Sequence, residues 1–180
     1  MKIEETGLPG VRLLTPAIHR DSRGAFLETW NLRTMQEAGL PTMWVQDNFS
    51  ISKKNVLRGM HYQITQPQGK LVRVVYGAVL DVAIDLRRSS PNFGKHVAVE
   101  LSGENSAMLW IPPGFGHGFL ALADVGFSYK VTDYYSPTAE RTIRWNDPEL
   151  AIPWPADRNG IIISDRDSEG ALLHDAEVFP

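Results

Sequence analysis

The sequence predicts an all-β fold, a sandwich or barrel of short antiparallel strands with one or a few short helices. Three observations carry that expectation. Strand signals dominate the chain, with apolar and polar residues alternating at a period of two in segments such as 45–52 and 78–86. Gly and Pro, 15 and 12 of them among 180 residues, break these runs at short intervals. One segment alone has a convincing helical pattern. With 43% hydrophobic residues the length suits one well-buried domain spanning residues 1–180.

The elements follow in order. Residues 11–14 and 26–30 are short strands, parted by the turn sequence Asp21-Ser22-Arg23-Gly24. Residues 31–38 form the helix. Asn31 caps it, Leu32, Met35 and Gln36 fall near one side, and Gly39 with Pro41 ends it. Residues 45–52 alternate cleanly, with Gln46, Asn48, Ser50 and Ser52 on one face and Val45, Asp47, Phe49 and Ile51 on the other. A strand over 57–63 and two over 70–86, hinged at Gly77, come next; in the last, Val79, Asp81, Ala83 and Asp85 share a face. Further strands cover 97–101, 107–111, 118–122, 127–133 and 142–145, and 161–163 reads as a last one. Asp165-Arg166-Asp167 has the character of a solvated loop. Phe115, Phe119, Trp110 and Trp145 are expected in the core, and His19, His96 and His174 on the surface.

Composition excludes several function classes. A net charge of -3 and a pI near 5.9 give no general attraction to nucleic acid or anionic membrane. The absence of cysteine rules out disulfides, thiolate nucleophiles and Cys-ligated metals. The first five residues carry acids where a signal peptide needs an apolar core, and no apolar run approaches the ~20 residues of a membrane span. A soluble cytoplasmic protein is expected, with neither nucleic acid nor membrane as partner.

Chemistry concentrates on consecutive strands. Gln46 and Asn48, then Arg58 and His61, then Lys70 interrupt segments otherwise rich in Val, Leu and Tyr. One such face in an antiparallel sheet commonly looks at water. Gathered on consecutive strands, they point instead to the polar mouth of a barrel, where small ligands bind. Ideal alternation sends Arg58 and His61 to opposite faces; a bulge at Gly59 would bring them together. Histidine exchanges a proton near neutral pH, and an ammonium holds the negative charge left behind. The pair His61 and Lys70 therefore suggests proton abstraction beside a carbonyl.

Leu57-Arg58-Gly59-Met60-His61-Tyr62-Gln63 followed by Lys70-Leu71-Val72-Arg73 strongly resembles the dTDP-4-dehydrorhamnose 3,5-epimerase family. So do Arg23-Gly24-Ala25-Phe26-Leu27-Glu28, Gln46-Asp47-Asn48, Asp85-Leu86-Arg87 with Ser90-Pro91, and the run 111–119 containing His117. Tyr129-Lys130, Trp145-Asn146-Asp147-Pro148 and Ser164-Asp165-Arg166-Asp167 extend the likeness collinearly from about residue 10 to residue 170. The resemblance implies a cupin-type jelly roll, a homodimer, and action on the nucleotide sugar dTDP-4-dehydro-6-deoxy-D-glucose with no metal and no cofactor. Carried over by position, His61 is the base, Asp167 its orienting partner, Lys70 the enolate stabiliser and Tyr129 the acid on the opposite face. Arg23, Glu28, Gln46, Asp47, Asn48, Arg58, His117, Tyr135, Glu140 and Arg166 fall at substrate-binding positions.

The residue types suit that chemistry. A ketone acidifies the hydrogens on its neighbouring carbons, and a carboxylate behind imidazole fixes the tautomer and stabilises the imidazolium. Diphosphate favours guanidinium forks such as Arg23, Arg58 and Arg166. Tyr134 and Tyr135 point to opposite faces of an extended segment, so one of them at most lines a cavity. Three departures from the family pattern stand out: Met60 for leucine, Gly116 for alanine and Arg166 for lysine. A metal-dependent cupin would need clustered His and acidic ligands; here Tyr62 and Gln63 follow His61, and Lys70 would repel an ion. A single-centre epimerase and a non-catalytic nucleotide-sugar module are the remaining alternatives. The second of these has no use for His61, Asp167 and Tyr129 together.

Overall fold

The computed structural model describes residues 1–155 and 160–180. Its strands are β1 (Lys2–Glu5), β2 (Arg12–Thr15), β3 (Ile18–Asp21), β4 (Gly24–Leu27), β5 (Gln46–Ser52), β6 (Leu57–Gln63), β7 (Lys70–Tyr76), β8 (Ala78–Asp85), β9 (His96–Ser102), β10 (Met108–Ile111), β11 (Phe115–Ala121), β12 (Val125–Val131) and β13 (Glu140–Thr142). Two short helices accompany them, α1 (Leu32–Glu37) and α2 (Asp165–Ser168). Two antiparallel sheets face each other, ordered β1-β2-β10-β7-β12-β5 and β13-β6-β11-β8-β9. The β3-β4 hairpin pairs with neither.

Strand alternation sorts side chains into three apolar layers. Val72, Val74, Leu109, Ile111 and Phe127 from the first sheet meet Val79, Ala83, Leu101, Phe115 and Phe119 from the second. The outer face of the second sheet, with Met60, Tyr62, Val82 and Ile84, is covered by the C-terminal segment through Leu150, Ile152, Trp154 and Leu173. The outer face of the first sheet carries Leu14, Leu71, Met108 and Trp110, and the segment around α1 covers it with Met35 and Leu40. Each layer removes large apolar side chains from water, the main favourable term in folding.

Several expected elements shift. Strand 26–30 stops at Leu27, and Glu28 to Trp30 lead into α1. Asn31 caps α1 by accepting from the Thr34 N–H, yet six residues bury only Met35, and Leu32 stays exposed. The last strand lies at Glu140–Thr142 rather than 142–145. Residues 161–163 make one isolated bridge, Ile162 to Val56, because no partner strand continues beside them. Asp165-Arg166-Asp167 is helical, with Ser164 as its cap. Trp145 is only partly buried, while Phe115, Phe119 and Trp110 are core.

Strand β6 carries the irregularity that matters for the site. His117 lies opposite His61 and Phe119 opposite Arg58, so three steps on β6 answer two on β11. That bulge is the one anticipated at Gly59, and it returns Arg58 and His61 to the same side. Gly59 has φ +129, where L side chains are strained, and a Cβ there would lie 2.5 Å from the Gly118 Cα. The mutation Gly59→Ala is expected to cost about 2 kcal/mol or more, read as a lower urea midpoint with an unchanged slope.

Candidate active site

The bulge aims His61 into a cavity between the two sheets. Ser50, Arg58, His61, Lys70, His117, Phe119, Phe127 and Tyr129 line it. His61 and His117 come from one wall, strands β6 and β11, while Lys70 and Tyr129 come from the opposite wall, strands β7 and β12. Consecutive in sequence, β6 and β7 are thus not neighbours in a sheet; their polar heads meet across the cavity. Its volume of about 190 Å³ is below the ~300–1,000 Å³ of clefts that engulf a whole drug-sized ligand. One sugar ring is the scale of what it holds.

The imidazole is anchored from behind. His61 Nε2 lies 2.8 Å from Asp167 Oδ1, and Asp167 Oδ2 accepts the Gly59 N–H at 3.1 Å. Asp167 is buried because α2 turns it inward, and the Ser164 side chain accepts the Asp167 N–H at 3.2 Å. Burial pushes its carboxyl up, but the hydrogen bond and charge of His61, the Gly59 N–H and Ser164 together hold it below the usual carboxylate range. With Nε2 committed to the carboxylate, Nδ1 is the ring nitrogen left for a substrate proton.

Across the cavity Lys70 is half-buried, its Nζ donating to the His61 carbonyl at 3.5 Å. Burial brings its ammonium down to about 8, against the opposing charges of Glu140 and Asp81. Gly69 sets the approach: its N–H donates to Thr132 Oγ1 at 2.8 Å, and Trp110 fills the space a Cβ would need. Tyr129 is raised by burial first and by the Glu140 charge second, so its hydroxyl keeps its proton. Burial also pushes His117 down, which favours the neutral ring, while Asp81 pulls the other way.

The remaining expected residues divide into two groups. Arg58 is held to Ser52 Oγ at 3.0 Å beside the cavity. Gln46 donates to Asn48 Oδ1 at 2.7 Å, both on the β5 face shared with Ser50, and Asn48 lies opposite Tyr129 in the ladder. Tyr135 donates to Glu140 Oε2 at 2.7 Å and Arg166 pairs with the same carboxylate, next in sequence to Asp167. Three expected residues are not brought to this cavity. Asp47 points to the opposite face of β5, as alternation requires, and pairs with Lys130 at 2.6 Å. Arg23 lies on the projecting hairpin, bound to Asp21 in a groove of its own. Glu28, just beyond that hairpin, accepts from Asn31 at 3.1 Å.

Sequence reasoning missed Ser50, Phe119 and Phe127 as lining residues, and Asp81 beneath them. Asp81 had a signal, an acid set between the apolar Val79 and Ala83 on one strand face. Among the described residues no three His, Asp or Glu side chains gather as metal ligands, and no helix is long and apolar enough to cross a membrane.

The sequence profile of dTDP-4-dehydrorhamnose 3,5-epimerase matches residues 5–175. The chain belongs to that family. It is 50% identical, over the full length of both chains, to the dTDP-4-dehydrorhamnose 3,5-epimerase of Pseudomonas aeruginosa. The dTDP-6-deoxy-D-glucose-3,5-epimerase of Legionella pneumophila, solved with dTDP-4-keto-L-rhamnose, superposes with a TM-score of 0.94 at 46% identity, covering 98% of this chain and 94% of that one. A 3′-monoepimerase of Streptomyces bikiniensis solved with dTDP-quinovose has a TM-score of 0.89 at 33% identity, over 94% and 86% of the two chains. The fold of this epimerase is accordingly the cupin-type jelly roll. Asp167→Asn is expected to lower epimerase kcat about a hundredfold or more while KM changes little, as steady-state kinetics will read, since the carboxylate touches His61 rather than the cavity.

Proposed function

We propose that residues 1–180 form one epimerase unit that inverts C3 and C5 of dTDP-4-dehydro-6-deoxy-D-glucose, giving dTDP-4-dehydro-L-rhamnose. The observation that supports this reading is that His61 on β6 and Tyr129 on β12 stand on opposite walls of one cavity, suited to serve as base and acid. Inversion requires that arrangement. The imidazole takes the proton from the carbon beside the C4 ketone, and the electron pair of the C–H bond moves onto the carbonyl oxygen. Lys70 meets that enolate oxygen with its ammonium, an interaction of about 3 kcal/mol in comparable oxyanion sites. The Tyr129 hydroxyl then delivers a proton to the other face of the same carbon. Solvent exchange resets the imidazolium and the phenolate.

The nucleotide lies outside the sugar-sized cavity in this reading. Arg58 and Arg166 offer guanidinium forks to the diphosphate, and Gln46, Asn48 and Tyr135 line its approach. Double inversion is favoured over the single inversion of the monoepimerase by the higher identity to the 3,5-epimerases. Proton NMR in heavy water decides between them. Deuterium is expected at both C3 and C5 with the L-sugar as product, whereas label at one carbon alone establishes the single-centre reading. In the same assay His61→Ala should abolish exchange at both carbons, and Tyr129→Phe should depress net inversion more than exchange. Turnover surviving in His61→Ala removes the assigned base.

A homodimer is part of this proposal. Strand β5 ends its sheet, and its outward side chains Phe49 and Ile51 are 56% and 65% exposed, with Val75 and Tyr76 also uncovered. An open edge bearing such apolar residues invites a partner. The hairpin carries Arg23, and Phe26 at 71% exposure, away from the chain's own cavity. A second copy would give both a use. Light scattering after size exclusion should report twice the 20.1 kDa chain mass, and Phe49→Asp with Ile51→Asp should halve it; a wild-type monomer removes this part.

A further inference from the structure

Beneath the cavity floor lies a carboxylate that the proposed mechanism leaves idle. Asp81 is fully buried on β8, on the face that Val79 and Ala83 give to the inner core. Its oxygens sit 3.0 and 3.2 Å from His117 Nε2. Among the described residues no arginine or lysine pairs with it. A buried carboxylate is costly unless something answers its charge. A neutral imidazole supplies a hydrogen bond but no charge, so it leaves the negative charge of Asp81 unneutralised, to act over distance on what lies near His117.

What lies beyond is Lys70. The ammonium has no carboxylate partner within ion-pair distance among the described residues, and it faces the same cavity as His117. The other charged or titratable groups around that cavity are mostly engaged. His61 on β6 is held by Asp167 on α2, Glu140 on β13 by Arg166 and Tyr135, and Arg58 on β6 by Ser52. Tyr129 on β12 keeps its proton. Asp81 and Glu140 are the two anions that act to keep Lys70 charged, and Glu140 already answers a guanidinium.

We propose that Asp81 is a positioning residue for the enolate-binding cation, acting through His117. By taking the Nε2–H of His117 it fixes the tautomer whose bare Nδ1 is turned toward the cavity, an acceptor for a sugar hydroxyl. Its buried charge, relayed past that neutral ring, holds the Lys70 ammonium protonated at working pH. Asp81 and Lys70 thus act as coupled opposite charges, each of them also coupled to His117. The inference rests on the catalytic reading of Lys70 given above.

Two measurements on the free protein test it, the first with a kinetic companion. The first follows the ¹³Cε resonance of labelled Lys70 through its titration. The wild-type midpoint is expected near 8, and Asp81→Asn, which keeps an acceptor for His117 but no charge, should lower it by on the order of one unit. The alkaline limb of kcat should fall with it, a movement that a merely structural role would not produce. An unmoved midpoint overturns the proposal. The second measurement needs no variant: ¹⁵N shifts of His117 in the wild-type protein should report a neutral ring with its proton on Nε2. A proton on Nδ1, or an imidazolium at neutral pH, overturns it equally. Deuterium exchange into substrate by the wild-type protein scores the catalytic reading separately.

Discussion

Strand β6 approaches β11 so closely at Gly59 and Gly118 that neither position has room for a side chain, and the geometry of the candidate site depends on this contact. The ladder there gains a residue on one strand, which turns Arg58 and His61 toward the same cavity. The irregularity also exposes a backbone donor. Asp167 accepts that Gly59 N–H with one oxygen and meets His61 with the other, so a single carboxylate fixes both the distorted backbone and the ring it presents. The cost of an interrupted ladder is offset locally, as polar groups away from water require.

Charge is distributed with the same economy. Three carboxylates surround the cavity, and each has a different partner: Asp167 the His61 imidazole, Glu140 an arginine and a tyrosine at the rim, Asp81 a histidine whose burial favours the neutral ring. Lys70 is left without a direct counter-ion among the described residues. An ammonium in that condition is brought down to about 8 by burial, and in the proposed reaction it is free to meet a developing oxyanion. A lysine tied into a tight ion pair would have less to give in the transition state.

Opposed sheets explain why a jelly roll suits inversion. A single sheet presents its side chains from one direction, whereas two facing sheets surround a flat ring from above and below. The second wall also needs a polar inner face, and β5 provides one by reversing the usual order: Gln46, Asn48 and Ser50 turn inward while Phe49 and Ile51 face out. That reversal leaves apolar surface which folding of one chain does not cover.

The all-β class, most strands, the capped helix and the motif that marks the family are legible along the chain, because alternation, capping and turn chemistry act over a few residues. The bulge could be anticipated because Arg58 and His61 stand an odd number of steps apart around a glycine. Other features escaped local reasoning. Asp167 lies in a segment that reads as solvated, and only the return of α2 across β6 buries it. Asp81 looks like one more polar residue in a strand until β11 brings His117 over it. Residues 161–163 have strand composition, yet only Ile162 finds a backbone partner, at Val56. The sequence by itself determined which side chains could do the chemistry and that they lie on strands. Which wall each one occupies, and which carboxylate stands behind it, was decided only in three dimensions, because sheet order joins residues that are far apart along the chain.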